Sequence, residues 1–462
     1  MATQFCRNHL RRSILVFTIA ISSLLALNIL RACPFCLSPP MTLVQEIDSS
    51  DIVAIVELLH FEVVRTGKTP IPESTVRIRK FVQGSDLASK CGRLQSGQAI
   101  VVRGEVAGAP GDLFLLFGSL PRANSSPQMT FAPGTDESQS IPVDYENGSI
   151  EIVTADFQKT EQSSAKTAST RLLIPELISW VSSTPVSQEA IRYIHEAPPL
   201  SLPQSQRLLY YIAYLENADP LLSIDAWAEF ANATYDDVKS VRNELPREKL
   251  RQWIVDPLMS PERLGLYGMM LGLCGDADDA AFLQAQIGAT PPTGSDDKQF
   301  FRYGTDGLMG GYLILTGEEG VAFLEQTRLQ PGVPTDSALA AVQAIEFIYS
   351  YETALVPQER LRTSMRKLLS NDAMRILTIM NLARWKDWDS WPELERIFFE
   401  ESNDDRATQK AIVQFAEECR KATNTDGSPS QPATRADKFL TQAELEYPAL
   451  FHATVNAEFI GP

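Results

Sequence analysis

A chain of 462 residues exceeds what one ordinary hydrophobic core supports, and 44% hydrophobic with 21% charged residues is a globular composition. The first 32 residues hold Arg7, Arg11, Arg12 and Arg31 and no acid, so the formal charge of −17 becomes −21 without them, 37 basic against 58 acidic residues. That excess repels nucleic-acid phosphates and anionic lipid, so neither is expected as a partner, and it favours solubility.

Residues 1–32 read as a signal peptide or membrane anchor. A basic start with Arg7, His9, Arg11 and Arg12 precedes an uncharged run of 17 residues, Ile14 to Leu30, and then Arg31-Ala32-Cys33. The run is at the short edge for a membrane span, which leaves an uncleaved anchor as the rival to cleavage. Leu30-Arg31-Ala32-Cys33 also has a lipobox outline, with Arg31 where a small residue is usual. Each reading exports the body, to the periplasm, the cell envelope or the medium, and confines membrane contact to this segment. Thiols oxidise there. Of six cysteines, Cys6 lies in the targeting segment and five remain, an odd number. Cys33, Cys36 and Cys91 are the disulfide candidates. Cys274 and Cys419 sit in helical apolar patterns and read as buried thiols.

From Asp51 to Gly118 the pattern predicts strands: Ile52 to Val56, Val76 to Phe81, Ala99 to Val102, and Leu113 to Phe117, each bounded by Gly or polar residues. Asn147-Gly148 within Ile141 to Val153 signals a hairpin. A β-rich module over 33–155, closed as an OB-like small barrel or a sandwich, would remove exposed edges. Pro121 to Ser140 reads as a long loop inside it, and residues 156–171 as a linker poor in anything that packs.

Residues 172–450 are expected to be all-α, with no strand, before a tail over 451–462. Leu208, Ile212 and Leu215 share a helix face; so do Ile224, Trp227, Ala228 and Ala231, opened by Asp219-Pro220. Ser260-Pro261 opens a helix with Leu264, Tyr267, Gly268 and Leu271 inward and Gly275 at its end. Further stripes are Val342/Ile345/Tyr349, Leu361/Met365/Leu368, Ile376/Met380/Ala383, Leu394/Ile397/Phe398 and Ile412/Phe415/Cys419. An internal repeat aligns the segment from Gly265 with that from Gly307, matching Gly265, Leu266, Gly268, Leu271, Leu273 and Gly275 to Gly307, Leu308, Gly310, Leu313, Leu315 and Gly317. The offset is 42 residues, then 41 where Ala281-Phe282-Leu283 meets Ala322-Phe323-Leu324. Inward glycines imply close helix approach, and Gly275 and Gly317 imply a backbone torsion that a side chain hinders.

This period and pattern resemble a HEAT-type solenoid over about 200–421, whose helix pairs bury their apolar faces only by stacking. Cys33-Pro34-Phe35-Cys36, the strands that follow it, Val82-Gln83-Gly84 and Cys91-Gly92 before Gly97 resemble the netrin-like or tissue-inhibitor-of-metalloproteinases class of small barrels. That class begins Cys-x-Cys and carries more disulfides. The arrangement is also similar to exported bacterial proteins of the planctomycete kind that start Cys-Pro-x-Cys, a similarity that implies no activity.

Three motifs invite chemistry. Cys33-x-x-Cys36 has the spacing of a thiol–disulfide enzyme, which needs a helix N-terminus that Leu37-Ser38-Pro39-Pro40 opposes. The resemblance to the inhibitor class implies instead a Cys33 α-amine and carbonyl that chelate a protease zinc. Asp276-Ala277-Asp278-Asp279 reads as helix capping rather than a cation site. Trp385, Trp388 and Trp391, three residues apart, are candidates for binding a partner if exposed and for core packing if not. With His9, His60, His195 and His452 dispersed, no His-rich zinc site, catalytic residue or cofactor is assigned. The expectation is an exported, non-catalytic binding or scaffold protein with a protein or polymer partner.

Overall fold

The computed structural model describes residues 33–36, 39–66, 69–92, 94–120, 143–144, 149–154, 168–173, 178–288, 303–401 and 405–455. The targeting segment, the loop 121–140 and most of the expected linker lie outside them. The chain divides into two compact units: Pro39–Phe230, and Met1–Ser38 together with Ala231–Pro462. We call them the sheet unit and the helical unit.

The sheet unit begins with α1 (Leu43–Ser49), β1 (Ile52–Thr66), β2 (Thr69–Gln83), α2 (Ser85–Gly92), β3 (Ala99–Arg103) and β4 (Leu113–Ser119). β5 (Val143–Asp144), β6 (Ser149–Thr154) and β7 (Ala168–Leu173) follow, then β8 (Ser179–Pro185), α3 (Gln188–Glu196), α4 (Gln204–Tyr211) and α5 (Pro220–Ala231). The main sheet is antiparallel, in the order β3-β2-β1-β4-β8, and curls into a half-barrel. It is open where a closed barrel or a sandwich was expected, because β5, β6 and β7 pair among themselves instead of joining it. Val143 opposite Ile150 makes the expected hairpin.

Ile52, Ala54, Val56 and Leu58 face one core with Val76, Ile78, Phe114 and Leu116. Val53, Ile55, Leu115 and Phe117 point to the other face and are buried as well. A sheet covered on both sides needs apolar residues at every position, which explains unbroken runs where one-sided strands would alternate. Lys80, opposite Ile55, hydrogen-bonds His195 of α3, and Gln83, opposite Val53, donates 2.7 Å to the Ser50 carbonyl after α1. The chain around α1 and α3 therefore reaches that second face.

Two expectations fail here. Ser179–Pro185 is a strand, not helix: Leu115 pairs with Thr184 and Leu116 with Ser183. The expected linker also ends inside β7, where Thr170 pairs with Ile152. Both segments are short, polar and β-branched, so only a strand partner far away in sequence reveals them. The sheet unit accordingly runs on through three helices to Phe230, past the boundary expected near 172.

The helical unit contains α6 (Tyr235–Ser240), α7 (Arg247–Val255), α8 (Pro261–Cys274), α9 (Ala277–Gly288), α10 (Thr305–Thr316), α11 (Glu318–Thr327) and α12 (Thr335–Tyr351). It continues with α13 (Gln358–Arg366), α14 (Asp372–Arg384), α15 (Trp391–Arg396), α16 (Arg406–Cys419), α17 (Gln431–Glu446) and α18 (Pro448–Val455). Ser260 caps α8 with Pro261 in its first turn, as the sequence predicts. The repeat is a pair of helix pairs, α8/α9 and α10/α11, with Leu264, Leu271, Leu308 and Leu313 buried. Glycines form the seam between α8 and α10: a Cβ on Gly268 would stand 2.6 Å from Leu308 N, and one on Gly272 2.5 Å from the Gly311 Cα. Gly317 has φ +57°, the torsion expected of it, whereas Gly275 has φ −84° and is glycine for space, since a Cβ there would meet the Leu271 carbonyl and Asp279. One stripe is out of phase: Ile376 is exposed, and α14 turns Met374, Ile379 and Leu382 inward instead, whereas in α5 Trp227, Ala228 and Ala231 are buried as expected and only Ile224 is exposed. Among the described residues no helix is long and apolar enough to cross a membrane.

Candidate functional site

Cys33 and Cys36 are bonded, with Cα atoms 5.1 Å apart. Of the three disulfide candidates these two pair, while Cys91 lies in α2 of the sheet unit with its side chain outside the described residues. The motif was expected in the β module and instead folds with the helical unit. Its Cys33 N–H donates 3.0 Å to the Ala231 carbonyl, and the Cys36 N–H closes the turn on the Cys33 carbonyl at 3.3 Å. The tip residue, Phe35, is only 7% exposed. Its ring lies 4.9 Å from that of Phe347, which in turn meets Tyr235 at 5.1 Å. Beneath it are two glycines of the repeat: a Cβ on Gly310 would reach within 2.5 Å of Phe35 Cζ, and one on Gly265 within 3.2 Å of Phe35 Cβ.

This geometry bears on both sequence-level readings of the motif. The cysteines sit in a turn rather than in the first turn of a helix, the setting that a thiol–disulfide enzyme uses. Cys33 is buried and Cys36 half-buried. The Cys33 nitrogen and carbonyl, the pair that a zinc-chelating inhibitor would present, are both engaged within the chain. Of the two free thiols described, Cys419 is buried as expected and Cys274 is half-buried; burial first, and then the Asp279 charge, push Cys274 up to about 11, and burial raises Cys419.

The tryptophans do not make an exposed row. Trp385 stacks on Tyr349 with ring centroids 4.0 Å apart and planes 6° from parallel. Trp391 packs on Phe415 and Phe439, and its Nε1–H donates 3.2 Å to Cys419 Sγ. Trp388 is half-buried against Phe415. The spacing of three aligns them along one turn-rich segment whose inner side is the core, so the core-packing alternative holds.

Asp276 and Asp279 cap α9: the Asp276 carboxylate accepts from the Asp278 N–H at 2.9 Å, and the Asp279 carboxylate from the Asp276 N–H at 3.0 Å. Arg247 and Arg251 neutralise them, at 2.6 Å to Asp276 and 2.7 Å to Asp279. A second acidic group, Glu359, Asp387 and Asp389, brings its oxygens within 4.8 Å of one another. Arg366 already occupies the place of a cation, bonded to Asp387 and 3.0 Å from Glu359. It borders an open cleft of about 390 Å³ with Lys367, Ser370, Asp389, Ser390 and Glu393. Lys367 is in turn held at 2.9 Å by Glu325, whose carboxylate also takes Arg360 and Ser364, each at 2.7 Å. Burial alone would push the Glu325 carboxyl up; hydrogen bonds from Arg360, Lys367 and Ser364 outweigh it and hold it at about 2. The cations around this cleft are thus spent on the chain's own acids.

Sequence reasoning passed over a buried polar cluster in the sheet unit. Asp225, 3% exposed, accepts from Tyr193 Oη and from the Leu43 N–H, each at 2.6 Å, and so ties α5 to α3 and to the start of α1. Arg207 and Glu229 pair beside it. The available signal was Asp225 and Glu229 four residues apart in the otherwise apolar Pro220–Ala231 helix. Burial raises the Asp225 carboxyl to about 6; bonds from Tyr193 and Leu43 oppose that, and Glu229 and Glu46 add to it. Because the folded group titrates above its ordinary 3.8, protonation favours the fold. The contribution, about 3 kcal/mol, is complete below pH 3.8 and is lost as pH rises through about 6. Asp225→Asn is expected to remove that slope, and to be neutral or stabilising at pH 7. Urea midpoints measured at intervals across this window check it, and a slope unchanged in the variant would exclude Asp225 as its source.

No known protein family matches the chain, and no curated protein matches it by sequence.

Proposed function

We propose that the chain is an exported binding or scaffold protein that uses the surface of stacked helix pairs to engage a protein or polymer. The observation that carries this reading is the seam between α8 and α10, where two copies of one repeat stack backbone to backbone. Helix pairs joined in this way resemble a HEAT-like array, and such arrays leave a long continuous face for a partner. The disulfide between Cys33 and Cys36, next to the basic and apolar leader, supports an oxidising location outside the cytosol. The curl and antiparallel order of the main sheet support an OB-like or netrin-like reading of the module in front.

The test is cross-linking in intact producing cells, followed by fractionation. Recovery of the chain outside the cytosol, joined to one partner through residues of α6–α18, supports the proposal. Retention in the cytosol overturns the export half, and a chain that reproducibly joins nothing overturns the binding half. The alternative, a thiol–disulfide enzyme using Cys33 and Cys36, rests on the presence of their bond and predicts catalysed insulin reduction that Cys36→Ser abolishes. Turnover of that kind would replace the binding reading.

A further inference from the structure

We infer that the Cys33–Cys36 bond is a redox latch that holds Phe35 as a plug in the glycine-floored recess of the α8–α10 seam. The bond encloses two residues, so it constrains the unfolded chain little compared with a disulfide closing a long loop. Its consequence is local: it fixes the turn whose tip is Phe35. The recess is shaped for that ring. Gly310 lies beneath its outer edge, Gly265 beneath its Cβ, and Phe347 beside it at 4.9 Å; a side chain at Gly310 would collide with the ring, and one at Gly265 would press on Phe35 at 3.2 Å. The same glycines belong to the 42-residue repeat, so the plug is seated on the joint between the two copies.

The two sulfurs are not equivalent. Cys33 is buried, with its N–H on Ala231; Cys36 is half-buried. A thiolate of an external dithiol therefore attacks Cys36 Sγ. The Cys33–Cys36 bond breaks, a mixed disulfide forms on Cys36, and Cys33 leaves as a thiolate that takes a proton from water. The second thiolate of the dithiol attacks the mixed disulfide, releasing Cys36, which is protonated in turn. Two electrons pass to this chain and the dithiol ends as its own disulfide. Without the bond the turn gains freedom, Phe35 leaves the recess more often, and the seam opens locally.

The experiment is hydrogen exchange read by mass spectrometry on the full chain, with and without dithiothreitol, reduction of Cys33 and Cys36 being confirmed by peptide mass. Reduction is expected to speed exchange on the order of tenfold in α8 and α10 and to leave α16 and α17 unchanged. Phe35→Ala in the oxidised chain is expected to reproduce the pattern; reduction of the folded natural chain gives the same readout if that variant does not fold. Limiting glutathione, a monothiol that cannot release itself by cyclising, followed by iodoacetamide is expected to leave the glutathione adduct on Cys36. Complete reduction without any change in α8 and α10 overturns the latch. So does faster exchange everywhere, which would make the bond a support of the whole unit, and so does a glutathione mixed disulfide on Cys33.

Discussion

Replacing Gly311 by valine is expected to destabilise the helical unit by about 3 kcal/mol or more, and even alanine there is expected to destabilise. In an ordinary helix glycine is about 1 kcal/mol worse than alanine, so a gain would be expected if the position faced open space. It does not. A Cβ on Gly311 would run into the Gly268 carbonyl oxygen and come within 3.4 Å of Gly272 N, and backbone atoms cannot step aside as a flexible side chain would. The reciprocal positions, Gly268, Gly272 and Gly307, face α10 or α8 backbone in the same way. Relief requires the two helices to separate, which unpacks Leu271, Leu308 and Leu313, each worth about 2 kcal/mol when fully buried. Gly288, near which the described residues place nothing within 4 Å, supplies the control: alanine there is expected to leave stability unchanged or slightly higher. Urea unfolding of the three variants decides the matter, and a stabilising Gly311→Ala would show that α8 and α10 are not in backbone contact.

Glu229→Ala is expected to cost the sheet unit about 3–5 kcal/mol. Glu229 is fully buried, and its carboxylate takes Arg207 Nη2 on both oxygens, at 2.7 and 2.5 Å, while Gln204 Nε2 donates to it at 3.2 Å. Arg207 is itself 4% exposed. Truncating the acid leaves a guanidinium away from water with its charge uncompensated, which is far worse than losing the pair as a whole. The double variant Arg207→Met/Glu229→Leu is therefore expected to recover most of the loss, since shape is kept and both charges are gone. Thermal and urea unfolding of the single and double variants test this. Equal losses in both would show that packing, rather than the stranded charge, sets the cost.

What could be read from the chain was whatever is written within a few turns of backbone. Ser260-Pro261 and Asp219-Pro220 mark helix starts because a short oxygen-bearing side chain and a fixed φ act on the next residues alone, and both starts are found, with Asp219 accepting from the Leu221 N–H at 3.0 Å. The β-branched runs at Ile52 and Leu113 are strands for an equally local reason. The 42-residue repeat was visible because identical glycine spacing demands the same close contact twice. An error of phase arose where an apolar residue had no obligation to face inward, as at Ile376.

By itself, then, the amino-acid sequence marked the helix starts at Asp219 and Ser260, the strands at Ile52 and Leu113, and the glycines that let α8 meet α10, while the far halves of β1 and β2 and the strand β8 went unread. Only the tertiary structure decided the partners: β8 beside β4, the Leu43 amide on Asp225, Trp385 and Trp391 turned into the core, and Phe35 carried from the front of the chain onto Gly265 and Gly310. Backbone preference acts over a few residues and leaves a record in adjacent letters. Burial and hydrogen-bond satisfaction act between groups up to hundreds of residues apart, and they select one partner among many of the same chemical type only when the whole core closes.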